Sequence, residues 1–116
     1  MHIETYRTYC LNKKGVTEEF PFDKETLVFK VAGKMFTATH VDTFESINVK
    51  CDPEEAILLR EKYECVQPGY HMNKKHWNTI LMDGSVNDQL IKKWIDDSYN
   101  LVLEKLPRKI KDKLKK

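Results

Sequence analysis

The sequence predicts a two-layer α+β domain, with one antiparallel sheet of about five strands packed against N-terminal, middle and long C-terminal helices. Three observations carry this. Apolar residues recur at helical spacing near both termini and once in the middle, and the stretches between them are short β-rich runs broken by glycine, proline and Asp-Gly. With 116 residues, 41% hydrophobic and 33% charged, the chain suits one ordinary globular core.

The opening, Ile3 to Leu11, places Ile3, Tyr6, Cys10 and Leu11 near one helical face, and Asn12-Lys13-Lys14-Gly15 supplies cationic residues and a glycine stop. Val16 to Phe22 reads as a short strand that Pro21 confines to an edge. Thr26–Val31 and Lys34–His40 form a hairpin around Ala32-Gly33, because Gly33 accepts the positive φ a tight turn requires. With a two-residue loop, Leu27, Phe29, Val31, Phe36 and Ala38 share one face and Lys30, Met35, Thr37 and Thr39 the other. A longer loop with a bulge changes that pairing, and the two alternatives are equally compatible with the residues.

A further strand fits Ser46 to Cys51. Asp52-Pro53-Glu54-Glu55 then starts a helix, with Asp52 as cap and Pro53 at the first helical position. Through Tyr63 this helix is expected to bury Ala56, Ile57, Leu59 or Leu58, and Tyr63. After Pro68-Gly69, the polar segment Tyr70-His71-Met72-Asn73-Lys74-Lys75-His76-Trp77 leads into a strand ending at Met82. Asp83-Gly84 turns the chain, and Ser85 or Asn87 caps the last helix. Its apolar repeat, Ile91, Trp94, Ile95, Ser98, Leu101, Val102 and Leu106, predicts a rod about 30 Å long.

Pro107 ends or kinks that helix, so residues 1–106 are expected to be the domain and 107–116 a basic tail. Residues 108–116 carry six basic side chains and one acid, which leaves the body mildly acidic although the whole chain is +2. Ile110 and Leu114 allow a short amphipathic helix in the tail, but two apolar residues are too few for a membrane anchor, and a frayed end is the default. No apolar run reaches bilayer-spanning length and Met1-His2-Ile3-Glu4 lacks a signal-peptide layout. Cys10, Cys51 and Cys65 are odd in number and form no CxxC pair. Reduced, buried thiols in a cytoplasmic protein are therefore expected.

Four blocks in order resemble the MmcQ/YjbR family: Val28-Phe29-Lys30-Val31-Ala32-Gly33-Lys34-Met35-Phe36, Asp52-Pro53-Glu54, the stretch from Pro68 to Trp77, and Ser98-Tyr99 with Leu101-Val102. The resemblance covers nearly all of residues 1–106. It implies an antiparallel two-layer fold related to CyaY-like and secretion-chaperone-like folds, and a DNA-binding role through a "double wing" of β-hairpins.

The residues admit a matching chemistry. Lys30 and Lys34 flank a hairpin tip, while Lys74 and Lys75 lie beside Asn73, His71 and His76. These lysines suit DNA phosphates, and Asn73 suits a phosphate or a base edge. Trp77 and Tyr70 read as core anchors between them. His71 and His76, five apart, point to opposite faces of a strand, and the histidines and cysteines form no zinc spacing, so no metal is expected. Without a nucleophile elbow, Walker loop or dinucleotide fingerprint, neither catalysis nor a cofactor is expected. The expectation is a monomeric, non-catalytic protein with no membrane role that binds DNA with low specificity. The alternative is an interaction module for a protein or a small anionic ligand.

Overall fold

The computed structural model describes residues 1–114. Its elements are α1 (Ile3–Leu11), β1 (Val16–Glu19), β2 (Thr26–Val31), β3 (Lys34–His40), β4 (Ser46–Lys50), α2 (Pro53–Lys62), β5 (Val66–Pro68), β6 (Trp77–Leu81), α3 (Asp88–Glu104) and α4 (Arg108–Leu114). The strands form one antiparallel sheet in the order β1-β2-β3-β4-β6-β5. Helix α3 packs across β3 and β4, α1 beside β1, and α2 over β5 and β6. Among the described residues no helix is long and apolar enough to cross a membrane.

Six strands replace the five expected. The additional one, β5, has three residues and no readable alternation. It occupies an edge, where Pro68 has no neighbour to which it would owe a donor.

Ala32 and Gly33 form a two-residue hairpin turn with φ of 49° and 79°. A bulge nevertheless sits inside the hairpin: Lys30 pairs with Met35 and Phe29 with Thr37, which leaves Phe36 as the extra residue. Phe36 and Thr37 consequently both face the helices. The Phe36 ring meets Tyr99 edge-on at 5.3 Å, and the Thr37 hydroxyl lies 2.9 Å from the Tyr6 phenol. Beyond the bulge the facing is reversed. Ala38, expected beside Leu27, pairs with Val28 on the open face of the sheet. Ser98 closes the gap the bulge leaves, accepting the Lys50 N–H at 2.8 Å and donating to the Phe36 carbonyl.

The core is formed by Tyr6 and Cys10 of α1, Phe29, Val31, Ile47, Val49 and Ile80 of the sheet, and Ile91, Trp94, Ile95 and Val102 of α3. Asn87 caps α3 through the Leu90 N–H. In α2 the buried stripe is Ala56 with half-buried Leu59 and Tyr63, at i, i+3 and i+7. Ile57, one position off that stripe, is 52% exposed, contrary to expectation. Leu11 of α1 likewise lies at the surface.

The tail is helical as far as it is described. Leu114 comes back to Gly15, whose φ is +74° and where a Cβ would collide with the leucine. Lys111 donates to the Glu104 carbonyl at 3.2 Å, tying α4 to the end of α3.

Candidate functional site

The register brings the β2–β3 turn, the close of β4 and the start of β6 to one end of the sheet. Lys34 and the Gly69–His76 loop therefore share that end, but the individual side chains do different work. Lys30 Nζ is 3.4 Å from Glu19 Oε2 and half-buried, so its charge is largely answered by the neighbouring strand β1. Lys74 Nζ turns back to the Gly69 carbonyl at 3.3 Å. Asn73 holds the loop: its Oδ1 accepts the Lys75 N–H at 2.9 Å, and its carbonyl accepts from His76 and Trp77. Lys75 is exposed and His76 half-buried. His71 is exposed with φ 59°, its ring 4.0 Å from that of Tyr70.

The loop is braced from beneath. Arg60 of α2 donates Nε to Asn78 Oδ1 at 2.6 Å, and its Nη2 to the carbonyls of Trp77, at 3.2 Å, and Lys74. Asn78 is fully buried and passes the support on by donating to the Ala56 carbonyl at 3.3 Å. A loop rich in polar groups is thus held rigid, the condition under which such loops can present a fixed surface.

Two lysines that sequence reasoning missed complete this end. Lys50 closes β4 and Lys105 caps α3. Burial first, and then the charges of Lys105 and Lys34, lower the pKa of Lys50. With Lys34 and Lys105 both in electrostatic range of Lys50, this end can attract anions. The three lysines are far apart in sequence, and no spacing rule links a hairpin tip, a strand end and a helix end.

The face of the sheet opposite the helices carries the second feature. Val28, Ala38, Asn48, Thr79 and Gln67 line up across five strands on that face. Above them lies a cavity of about 740 Å³, bordered by Phe22 of the β1–β2 connection, Met35, and Tyr70 and Met72 of the loop. Phe22 is 71% and Tyr70 69% exposed, so Tyr70 is no core anchor; Trp77, at 8%, is one. The Tyr70 N–H donates to Thr79 Oγ1 at 2.8 Å, and the Thr79 hydroxyl donates to Asn48 Oδ1 at 2.5 Å.

The thiols offer no ready nucleophile. All three are buried, and burial pushes Cys10 up to about 12 and Cys51 up to about 11.

A family model described as YjbR matches residues 11–101, from the end of α1 to most of α3. The chain belongs to the YjbR family. Among curated relatives, the Escherichia coli O157:H7 protein YbdF is 36% identical over 107 residues, covering 91% of this chain and 88% of YbdF. Protein YjbR of Escherichia coli K12 is 33% identical over 108 residues, covering 92% of each chain. The crystal structure of a Deinococcus radiodurans protein, carrying the family-model domain DUF419, superposes with a TM-score of 0.90 at 35% identity, over 97% of this chain and 86% of that one. A Pseudomonas syringae crystal structure follows at a TM-score of 0.74 and 27% identity, covering 87% of this chain and 98% of its own. Helix α4 lies beyond the stretch that the family model matches.

Proposed function

We propose that this YjbR-family chain is a non-catalytic DNA-binding protein, a cytoplasmic monomer that takes phosphates at the loop end of its sheet. The observation that carries the reading is the gathering of Lys34, Lys50 and Lys105 at the end that also bears Lys75 and the Asn73 loop. Arg108 and Lys109, which open α4 after Leu106 and Pro107, extend the charge. Lys30 and Lys74 contribute less than the sequence suggested, because each is engaged within the fold. Lysine contacts to phosphate carry little base information, so specificity from this end alone is low.

Affinity for a labelled oligonucleotide, measured against salt, tests the reading. Replacing Lys34, Lys50 or Lys105 by glutamine should flatten the log–log salt slope by about 0.9 for each duplex phosphate that is no longer neutralised. Removal of residues 108–116 should weaken binding without abolishing it. A truncated body that binds no DNA at low salt, while the intact chain does, would assign binding to the tail alone. The cavity on the open face favours a second reading, a module for a protein or small ligand with no DNA role, and that result would put it first.

A further inference from the structure

We infer that the open face of the sheet receives an unpaired base, so that the nucleic acid is bound as a single strand. This rests on the DNA-binding reading and adds to it a seat for the base. The phosphate end alone does not distinguish one strand from two; the cavity does. A base inside a duplex has both faces stacked and its pairing edge occupied, so only an unpaired base can enter a recess in a protein surface.

Three features of the recess fit such a base. Phe22 and Tyr70 stand exposed on separate connections at its borders, large aromatic side chains that the fold leaves mostly in solvent. Base-on-aromatic stacking uses such side chains and tolerates any sequence. Asn48 lies on its floor with a fixed amide. The Thr79 hydroxyl, which accepts from the Tyr70 N–H, donates its proton to Asn48 Oδ1, and the Asn48 NH2 is left as a pair of donors for the recess. A base carbonyl is the acceptor that such a group suits.

The charge layout sets the direction of the strand. Among the described residues no lysine or arginine lines the recess, whereas Lys50 follows Asn48 by two residues on the same strand face, roughly 7 Å along β4. Lys34 and Lys105 continue the positive charge beyond it. Asp23 and Glu45 line the recess and disfavour phosphate there. A base over Asn48 with its phosphate at Lys50 satisfies both sets of groups.

The test compares a labelled ten-nucleotide thymine strand with a hairpin duplex of similar charge, using the full chain and variants Phe22→Ala, Tyr70→Ala and Lys50→Gln. The first two alter exposed side chains, and circular dichroism checks their folding. The intact protein should bind the single strand at least tenfold more tightly than the duplex. Each aromatic replacement should weaken single-strand binding roughly 5- to 150-fold and leave the salt slope unchanged. Lys50→Gln should flatten the slope by about 0.7. Equal or tighter duplex binding, or aromatic variants that bind the single strand normally, would overturn the single-strand inference and leave the phosphate reading standing. Failure of the intact protein to bind either form would overturn both.

Discussion

Tyr6 donates its buried phenol proton to Thr37. The two oxygens are 2.9 Å apart, and the direction follows because the Thr37 hydroxyl proton is already given to the Asn48 carbonyl at 2.7 Å. The pair ties α1 to the bulged part of β3, at the point where the sheet changes its facing. Tyr6→Phe should cost about 1 kcal/mol of unfolding free energy, as a hydrogen bond is removed. Thr37→Val should cost more, about 1–3 kcal/mol, because it strands the phenol in the core. Urea denaturation of both variants checks the order, and equal losses would contradict the assigned direction.

Alkaline pH should destabilise the fold. Burial raises Cys10 to about 12 and Cys51 to about 11, and holds Tyr6 well above the ordinary phenol value. Each group keeps its proton in the folded chain where the unfolded chain has released it. Their stabilisation is complete below the ordinary thiol value of 9.0 and is lost as pH rises through the folded values. The melting temperature should fall steadily from about pH 9 upward, as the unfolding free energy drops by at most about 1.4 kcal/mol per pH unit for each group titrating in the unfolded chain. Cys51→Ala should make the fall shallower. A melting temperature unchanged up to about pH 11 would contradict the prediction.

Arg60→Lys should loosen the Gly69–His76 loop without disturbing the core. Lysine cannot reproduce a fork that reaches Asn78, Lys74 and Trp77 together. Hydrogen exchange should quicken at the His76 and Trp77 amides, both bonded to Asn73, while α3 amides keep their protection. The loss of stability should be about 1–3 kcal/mol.

Gly69→Ala should be poorly tolerated although the position has no unusual φ. A Cβ there would stand 2.8 Å from Trp77 Cβ and 2.9 Å from the Trp77 carbonyl oxygen. Overpacking of this kind costs typically 1–3 kcal/mol, readable from the urea midpoint. An unchanged midpoint would show that the loop shifts freely away from β6.

Much of this fold was written locally. The Asp52-Pro53 start of α2, the Ala32-Gly33 turn and the apolar repeat of α3 depend only on near neighbours, and all three stand where the residues placed them. A bulge in the hairpin was one of two open alternatives, and its place at Phe36 could not be read, since a single extra residue leaves no mark on composition and is bonded by Ser98, 62 residues away. Strand β5 was too short for periodicity to register. The site divided in the same way. Lys34 and Lys75 were legible as loop lysines, whereas Lys50 and Lys105 gain their meaning from strand register and helix docking. Asn73 drew attention as the exposed amide, yet it organises its own loop, while the amide of Asn48 is one that the register sets on the open face.

The borders of the sheet bear on how this protein meets others. One border, β1, has four residues and is followed at once by Phe20-Pro21, with Glu18 held by Arg7 at 2.6 Å. The other, β5, has three residues and ends in a proline that brings no amide proton. Neither offers the long row of free donors and acceptors on which an incoming chain zips up, the route by which sheets join edge to edge into fibrils. Recruitment by strand addition is thereby discouraged at both sides, and contact with other molecules is channelled to the broad surfaces and the loop end.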